Sequence, residues 1–155
     1  MEYSAQFSSC RKYRYLLTRT WDKNLPQVMF ICLNPSSAAE IENDRTVAKC
    51  ISFVNSWRIY GGLIMTNLFA FRSTDANQIK LVKDPVGRNN DLWIREGHND
   101  ASITLAAWGN GGTHLDRSEQ IRNMFKKLYY LSLNQKGEPT HPLYLPFNLK
   151  PKRLY

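Results

Sequence analysis

Val28-Met29-Phe30-Ile31-Cys32-Leu33, followed at once by Asn34-Pro35-Ser36-Ser37, is the stretch on which the fold turns. A strand with one wet face alternates apolar and polar residues. This run does not alternate, so it reads as a strand buried on both faces, with helices covering each side. Pro35 has no backbone N–H to donate, so the ladder stops and the chain turns there. Two further apolar runs match it: Leu63-Ile64-Met65-Thr66-Asn67-Leu68-Phe69 and Ser102-Ile103-Thr104-Leu105-Ala106-Ala107-Trp108. Between the first two, Val47, Cys50, Ile51, Val54 and Trp57 recur at helical spacing. Asp44 or Thr46 is the candidate N-cap, and Gly61-Gly62 the stop. Residues 72–91 read mostly as loop, then Asp91 to His98 as helix. A longer helix is expected from about His114 to Leu128, and a short strand or helix end at 129–133. Tyr13 to Trp21 reads as an N-terminal strand. This alternation predicts one α/β domain over residues 1–155, a three-layer αβα sandwich with a mostly parallel central sheet of about four strands.

Composition narrows the function classes. A chain of 155 residues with 43% apolar residues has the size of one domain and is not disordered. No apolar run approaches the roughly 20 residues that span a bilayer. Met1-Glu2-Tyr3-Ser4 carries no signal-peptide pattern, so a cytoplasmic monomer without membrane contact is expected. Cys10, Cys32 and Cys50 form no CxxC pair, so reduced thiols, no metal and no cofactor are expected. The net charge of +8 favours an anionic partner, nucleic acid first. The basic residues cluster at both ends, Arg11, Lys12, Arg14 and Arg19 against Lys126, Lys127, Lys136, Lys150, Lys152 and Arg153. Were the ends to meet, they would form one positive face.

In a parallel sheet, ligands bind beyond the carboxyl ends of the strands. The three buried strands end in Asn34-Pro35-Ser36, in Asn67-Leu68-Phe69 and in Trp108-Gly109-Asn110, and His141-Pro142-Leu143-Tyr144-Leu145 follows near the C-terminus. These segments, in this order, resemble the uracil-DNA glycosylase superfamily, in the branch with an Asn-Pro first motif. The resemblance covers roughly residues 28 to 146. Leu33-Asn34-Pro35-Ser36, Asn67-Leu68-Phe69-Ala70, Pro85-Val86-Gly87 and His141 to Leu145 are also similar to a bacterial and phage family known only as a domain of unknown function. Three departures from the glycosylase pattern stand out. Cys32 replaces a Gly, Asn34 stands where many members carry Asp, and Leu143-Tyr144 replaces Ser-Pro.

The resemblance implies a DNA glycosylase that flips a pyrimidine out of the stack and hydrolyses its N-glycosidic bond, leaving an abasic site. Such a reaction needs a held water and a stabiliser for the departing base anion. Asn34 would orient the water, and Asp44 is the candidate carboxylate, with a helix cap as its competing role. His141 would donate to the base oxygen. Asn67 would read the base edge and Phe69 stack on it. Ser36, small where uracil-specific members carry Tyr, implies tolerance of a 5-substituent. Ser37, Gly109 and Asn110 would hold phosphates, and Leu145 would fill the gap left by the flipped base. His98 and His114 read as surface residues, and Arg72 and Asn90 as facing into the pocket from a lid. Two other classes stay open: a binding module that recognises modified bases without cutting, and a hydrolase or transferase on free nucleosides or nucleotides.

Overall fold

The computed structural model describes residues 1–36 and 38–155. In chain order it contains β1 (Glu2–Phe7), β2 (Arg14–Thr20), β3 (Gln27–Cys32), α1 (Arg45–Ser56), β4 (Gly62–Asn67), α2 (Asn90–Asp100), β5 (Ile103–Ala106), α3 (Arg117–Met124), β6 (Tyr129–Tyr130) and β7 (Lys152–Arg153). Short 3-10 turns occur at Ala76–Lys80, Asn110–Asp116 and Pro142–Tyr144. The seven strands form one sheet in the order β1-β2-β4-β3-β5-β6-β7.

β3 lies inside the sheet, parallel to β4 on one side and to β5 on the other. Successive strand side chains point to opposite faces. Val28, Phe30 and Cys32 therefore join one core, with Leu63, Met65 and Leu105, under Val47, Cys50, Phe53 and Val54 of α1. Met29 and Ile31 join the other, with Ile64 and Ala106, under Ile94 of α2 and Ile121 of α3. α1 forms because Asp44 caps it, accepting from the Val47 N–H at 2.8 Å, and because its buried residues make one stripe.

The expected sheet of about four mostly parallel strands, in a uracil-DNA glycosylase-like sandwich, is not what forms. The sheet is seven-stranded and mixed. β1–β2, β2–β4 and β6–β7 pair antiparallel, against parallel pairing of β3–β4, β3–β5 and β5–β6. Only three α-helices, of 12, 11 and 8 residues, occur among the described residues. The cause lies at the two chain ends. β1, with no fully buried residue, folds back on β2 and extends the sheet beyond β4, while the two residues of β7 close the far edge. Neither carries the long apolar run that marks a buried strand. This order places β1 and β7 at opposite sheet edges, so the two basic ends do not merge there. Arg14 and Arg19 are buried besides, at 2% and 0% exposure.

Other boundaries shifted for local reasons. The expected helix from His114 starts only at Arg117, because His114 is extended and Leu115 and Asp116 are left-handed (φ 54° and 56°). α1 ends at Ser56 with Arg58 left-handed (φ 65°), so the glycine pair is not its stop. Gly61 serves a close approach instead. Its carbonyl accepts from Trp21 and Asp22 at 2.9 and 3.0 Å, and a Cβ there would overlap the Asp22 carbonyl oxygen. Gly61→Ala should therefore destabilise the fold by about 3 kcal/mol in urea denaturation, far beyond an ordinary surface change.

Candidate functional site

Beyond the carboxyl ends of β3 and β4 the chain builds an open cleft of about 480 Å³, a volume in the range of small-ligand sites. Asn34 and Ser36 come from the loop after β3, Asn43 to Thr46 from the entry to α1, and Ser73, Thr74 and Ala76 from the loop after β4. His141 and Leu143 come from the loop after β6. The first two loops are joined by backbone. The parallel ladder continues past the strands as Leu68 N–H to Cys32 O at 2.9 Å and Phe69 N–H to Leu33 O at 3.0 Å. Ser73 N–H then donates to Pro35 O at 2.9 Å.

Asn34 completes that join. Its Nδ2 donates to Ser73 O at 2.9 Å and to Pro35 O at 3.2 Å. Both amide hydrogens are thereby used, and Oδ1 accepts no hydrogen bond among the described residues. Asp44 has two roles at once. Oδ1 caps α1, and Oδ2 accepts from the Ser36 hydroxyl at 2.6 Å. The cap that competed with a site role in the sequence is therefore built, and its carboxylate still lines the cleft.

Two buried arginines of β2 hold this loop from behind. Arg19 donates from Nε to Asn43 Oδ1 at 2.7 Å, and from one terminal nitrogen to Glu42 O at 2.9 Å and Ala39 O at 3.1 Å. Tyr3 of β1 covers it, with the guanidinium 4.8 Å from the ring centroid. Arg14 donates to Ala38 O at 3.1 Å, while its Nε has no partner among the described residues. Burial pushes Arg14 down to about 10, with the Asp44 charge opposing, so it stays cationic at neutral pH.

His141 is half-buried. Burial pulls it below its ordinary value of 6.5, again with Asp44 opposing. The Leu143 N–H donates to its Nδ1 at 3.3 Å, which leaves the proton of the neutral ring on Nε2. Gly109, at φ 72°, passes close by, since a Cβ there would stand 3.7 Å from that of His141. Glu138 anchors the loop that carries His141. Its Oε2 accepts from Trp108 Nε1 and Ser118 Oγ, both at 2.8 Å.

Asn34, Ser36, Asp44 and His141 thus meet at one cleft. The other candidates among the described residues do not line it. Asn67 ends β4 at 2% exposure, with Nδ2 unpartnered among the described residues. Phe69 is wholly buried in the second core, its ring 5.5 Å from His114. Asn110 accepts from Asn134 at 2.7 Å, and Leu145 packs half-buried against the α1 core. Ser37 lies outside the described residues. Arg72 turns away, donating to Arg11 O at 3.2 Å, and buried Asn90 donates to Asn67 O at 2.9 Å. His98 is no free surface residue, since it stacks on Phe125 at 4.1 Å and pairs with Thr104 at 2.8 Å. The sequence reading placed Ser73 and Thr74 only in a lid segment and gave no role to Asn43 or Glu138, since polar loop residues carry no pattern of their own. Among the described residues no three metal-ligating side chains converge, and no helix is long and apolar enough to cross a membrane.

The family model described as "Protein of unknown function (DUF1643)" matches residues 14–143. No curated protein and no solved structure matches the chain.

Two outcomes follow from this geometry. Arg19→Lys loses the planar fork that holds Asn43, Ala39 and Glu42, and should cost about 2–4 kcal/mol of unfolding free energy in urea. His141 binds its proton less readily folded than unfolded. Its contribution to stability is therefore complete above pH 6.5 and is lost as pH falls from there through the depressed folded value. His98 is depressed by burial too and acts with the same sign. Stability measured between pH 5 and 7 should fall less steeply with acid in His141→Gln than in the parent, and equal slopes would remove the buried-neutral assignment.

Proposed function

The chain belongs to the DUF1643 family, and for this member we propose hydrolysis of the N-glycosidic bond of a 5-substituted or otherwise modified pyrimidine in DNA. One observation carries the reading. An oriented acceptor amide (Asn34) and a carboxylate (Asp44) from the connection between β3 and α1, and a neutral imidazole (His141) about a hundred residues further on, line a single open cleft. The order of motifs shared with uracil-DNA glycosylases supports it.

The roles follow from the bonding. Asn34 Oδ1 accepts a hydrogen bond from the attacking water and so aims its lone pair at the sugar carbon. An amide takes up a proton poorly, so this step is slow for a glycosylase. Asp44 places negative charge where positive charge grows on the sugar. Nε2–H of His141 donates to the base oxygen as the base leaves with the electron pair of the broken bond, and the base anion then takes up the proton that the attacking water releases. A neutral donor serves here because the bond strengthens only as charge develops.

A second reading, a module that binds modified bases without cutting, has its own support. Asn67, the residue expected to read the base, is buried away from the cleft, and Asp44 already serves Val47 and Ser36. One experiment separates the two. Oligonucleotides carrying uracil, mismatched thymine, 5-hydroxymethyl or glucosylated pyrimidines are incubated with the protein, then treated with alkali. The glycosylase reading expects breaks at one modified base, and a loss of about 100-fold in rate for His141→Ala and for Asn34→Ala. Binding without breaks on every substrate selects the module.

A further inference from the structure

Tyr144 and Phe147 flank Leu145 on the loop beside the cleft, and both are exposed, at 81% and 61%. Each is met by a cation from α1. The Arg45 guanidinium stands 5.7 Å from the Tyr144 ring centroid, and Lys49 Nζ stands 3.6 Å from that of Phe147. Residues 45 and 49 are four apart, hence neighbours on one helix face. Phe147 also packs on Phe53, with centroids 6.2 Å apart and the rings tilted by 37°. Arg45 and Leu143 also line the cleft, so rings, cations and cleft form one continuous surface.

We infer that this surface is a stacking track for single-stranded nucleic acid, running along the cleft rim. Exposed aromatic faces bind any base by stacking, and adjacent cations neutralise the phosphates between bases. Nonspecific single-strand grooves combine these two elements. A duplex needs a different tool, an apolar wedge that replaces the extruded base. Leu145, the residue placed to be that wedge, is turned into the α1 core, and its two aromatic neighbours face out. Flat rings beside a cation receive unpaired bases, whereas paired bases hide their faces. The inference deepens the glycosylase reading, on which it rests for what occupies the cleft between the two flanks.

The test is fluorescence anisotropy on the full chain, with a labelled 12-nucleotide single strand, as DNA and as RNA, and with the DNA duplex of the same sequence. The single strand should bind at least about tenfold tighter than the duplex. Tyr144→Ala and Phe147→Ala should each weaken it about tenfold, while Tyr144→Phe, which keeps the ring, should retain the affinity. Lys49→Gln should flatten the dependence on salt. Tyr144 is a surface residue, so its variants report binding and not folding. Equal or tighter duplex binding, an unaffected Tyr144→Ala, or displacement by a polyglutamate peptide as readily as by unlabelled strand would overturn the track. Single-strand binding without base release keeps the track and removes the glycosylase. Base release from duplex that ignores Tyr144→Ala does the reverse.

Discussion

Val28, Phe30 and Cys32 need a cover on one side of the sheet, and Met29 and Ile31 need another on the opposite side. A strand with no polar face cannot sit at an edge or against water, because each side chain left exposed forfeits roughly 1.5–3 kcal/mol of burial. That constraint organises the molecule. It places β4 and β5 alongside β3 in parallel, draws α1 over one face, and brings α2 and α3 over the other. Since the buried strands run in one direction, their carboxyl ends fall together, and the loops that leave them are brought side by side.

Whether those loops form a site depends on a different interaction. The segment from Ala38 to Asp44 has no regular structure of its own and leads into α1. Arg14 and Arg19 satisfy its carbonyls from inside the sheet. A buried guanidinium left unpaired would be costly, so the arginines and the loop fix each other. The positive charge that suggested a nucleic-acid surface is thus partly internal structure. Arg45, which lines the cleft, and Lys49, one turn further along α1, carry positive charge at its rim.

The cleft joins groups with opposite demands. Asn34 has spent its donors and offers an acceptor, whereas His141 has its acceptor nitrogen filled and offers a donor. Asp44 lies in the same cleft and acts electrostatically on both His141 and Arg14. This division between an accepting and a donating side comes from hydrogen bonds within the loops themselves.

The buried strands, the capped helix after Asp44 and the polar turns at strand ends were legible in the sequence, because each rests on local rules: apolar runs, caps and proline. Asp44 could be named as a cap by the same rules, whereas Asn34, Ser36 and His141 were named through the resemblance of their motifs. The mixed sheet was not legible. β1 and β7 contain no fully buried residue, so no apolar run marks them, and they form by pairing with the open N–H and C=O groups of a neighbouring strand. Nor could the sequence tell Asn67 from Asn34. Both end a run of the same kind, but packing buries one and a loop opens the other to the cleft. Leu145 and Tyr144 are adjacent, and only the docking of their loop on α1 decided which would turn inward. The sequence by itself determined which segments must be buried and where the chain must turn. The tertiary structure decided which polar and aromatic groups stay accessible, because accessibility is set by what packs against a residue and not by what precedes it.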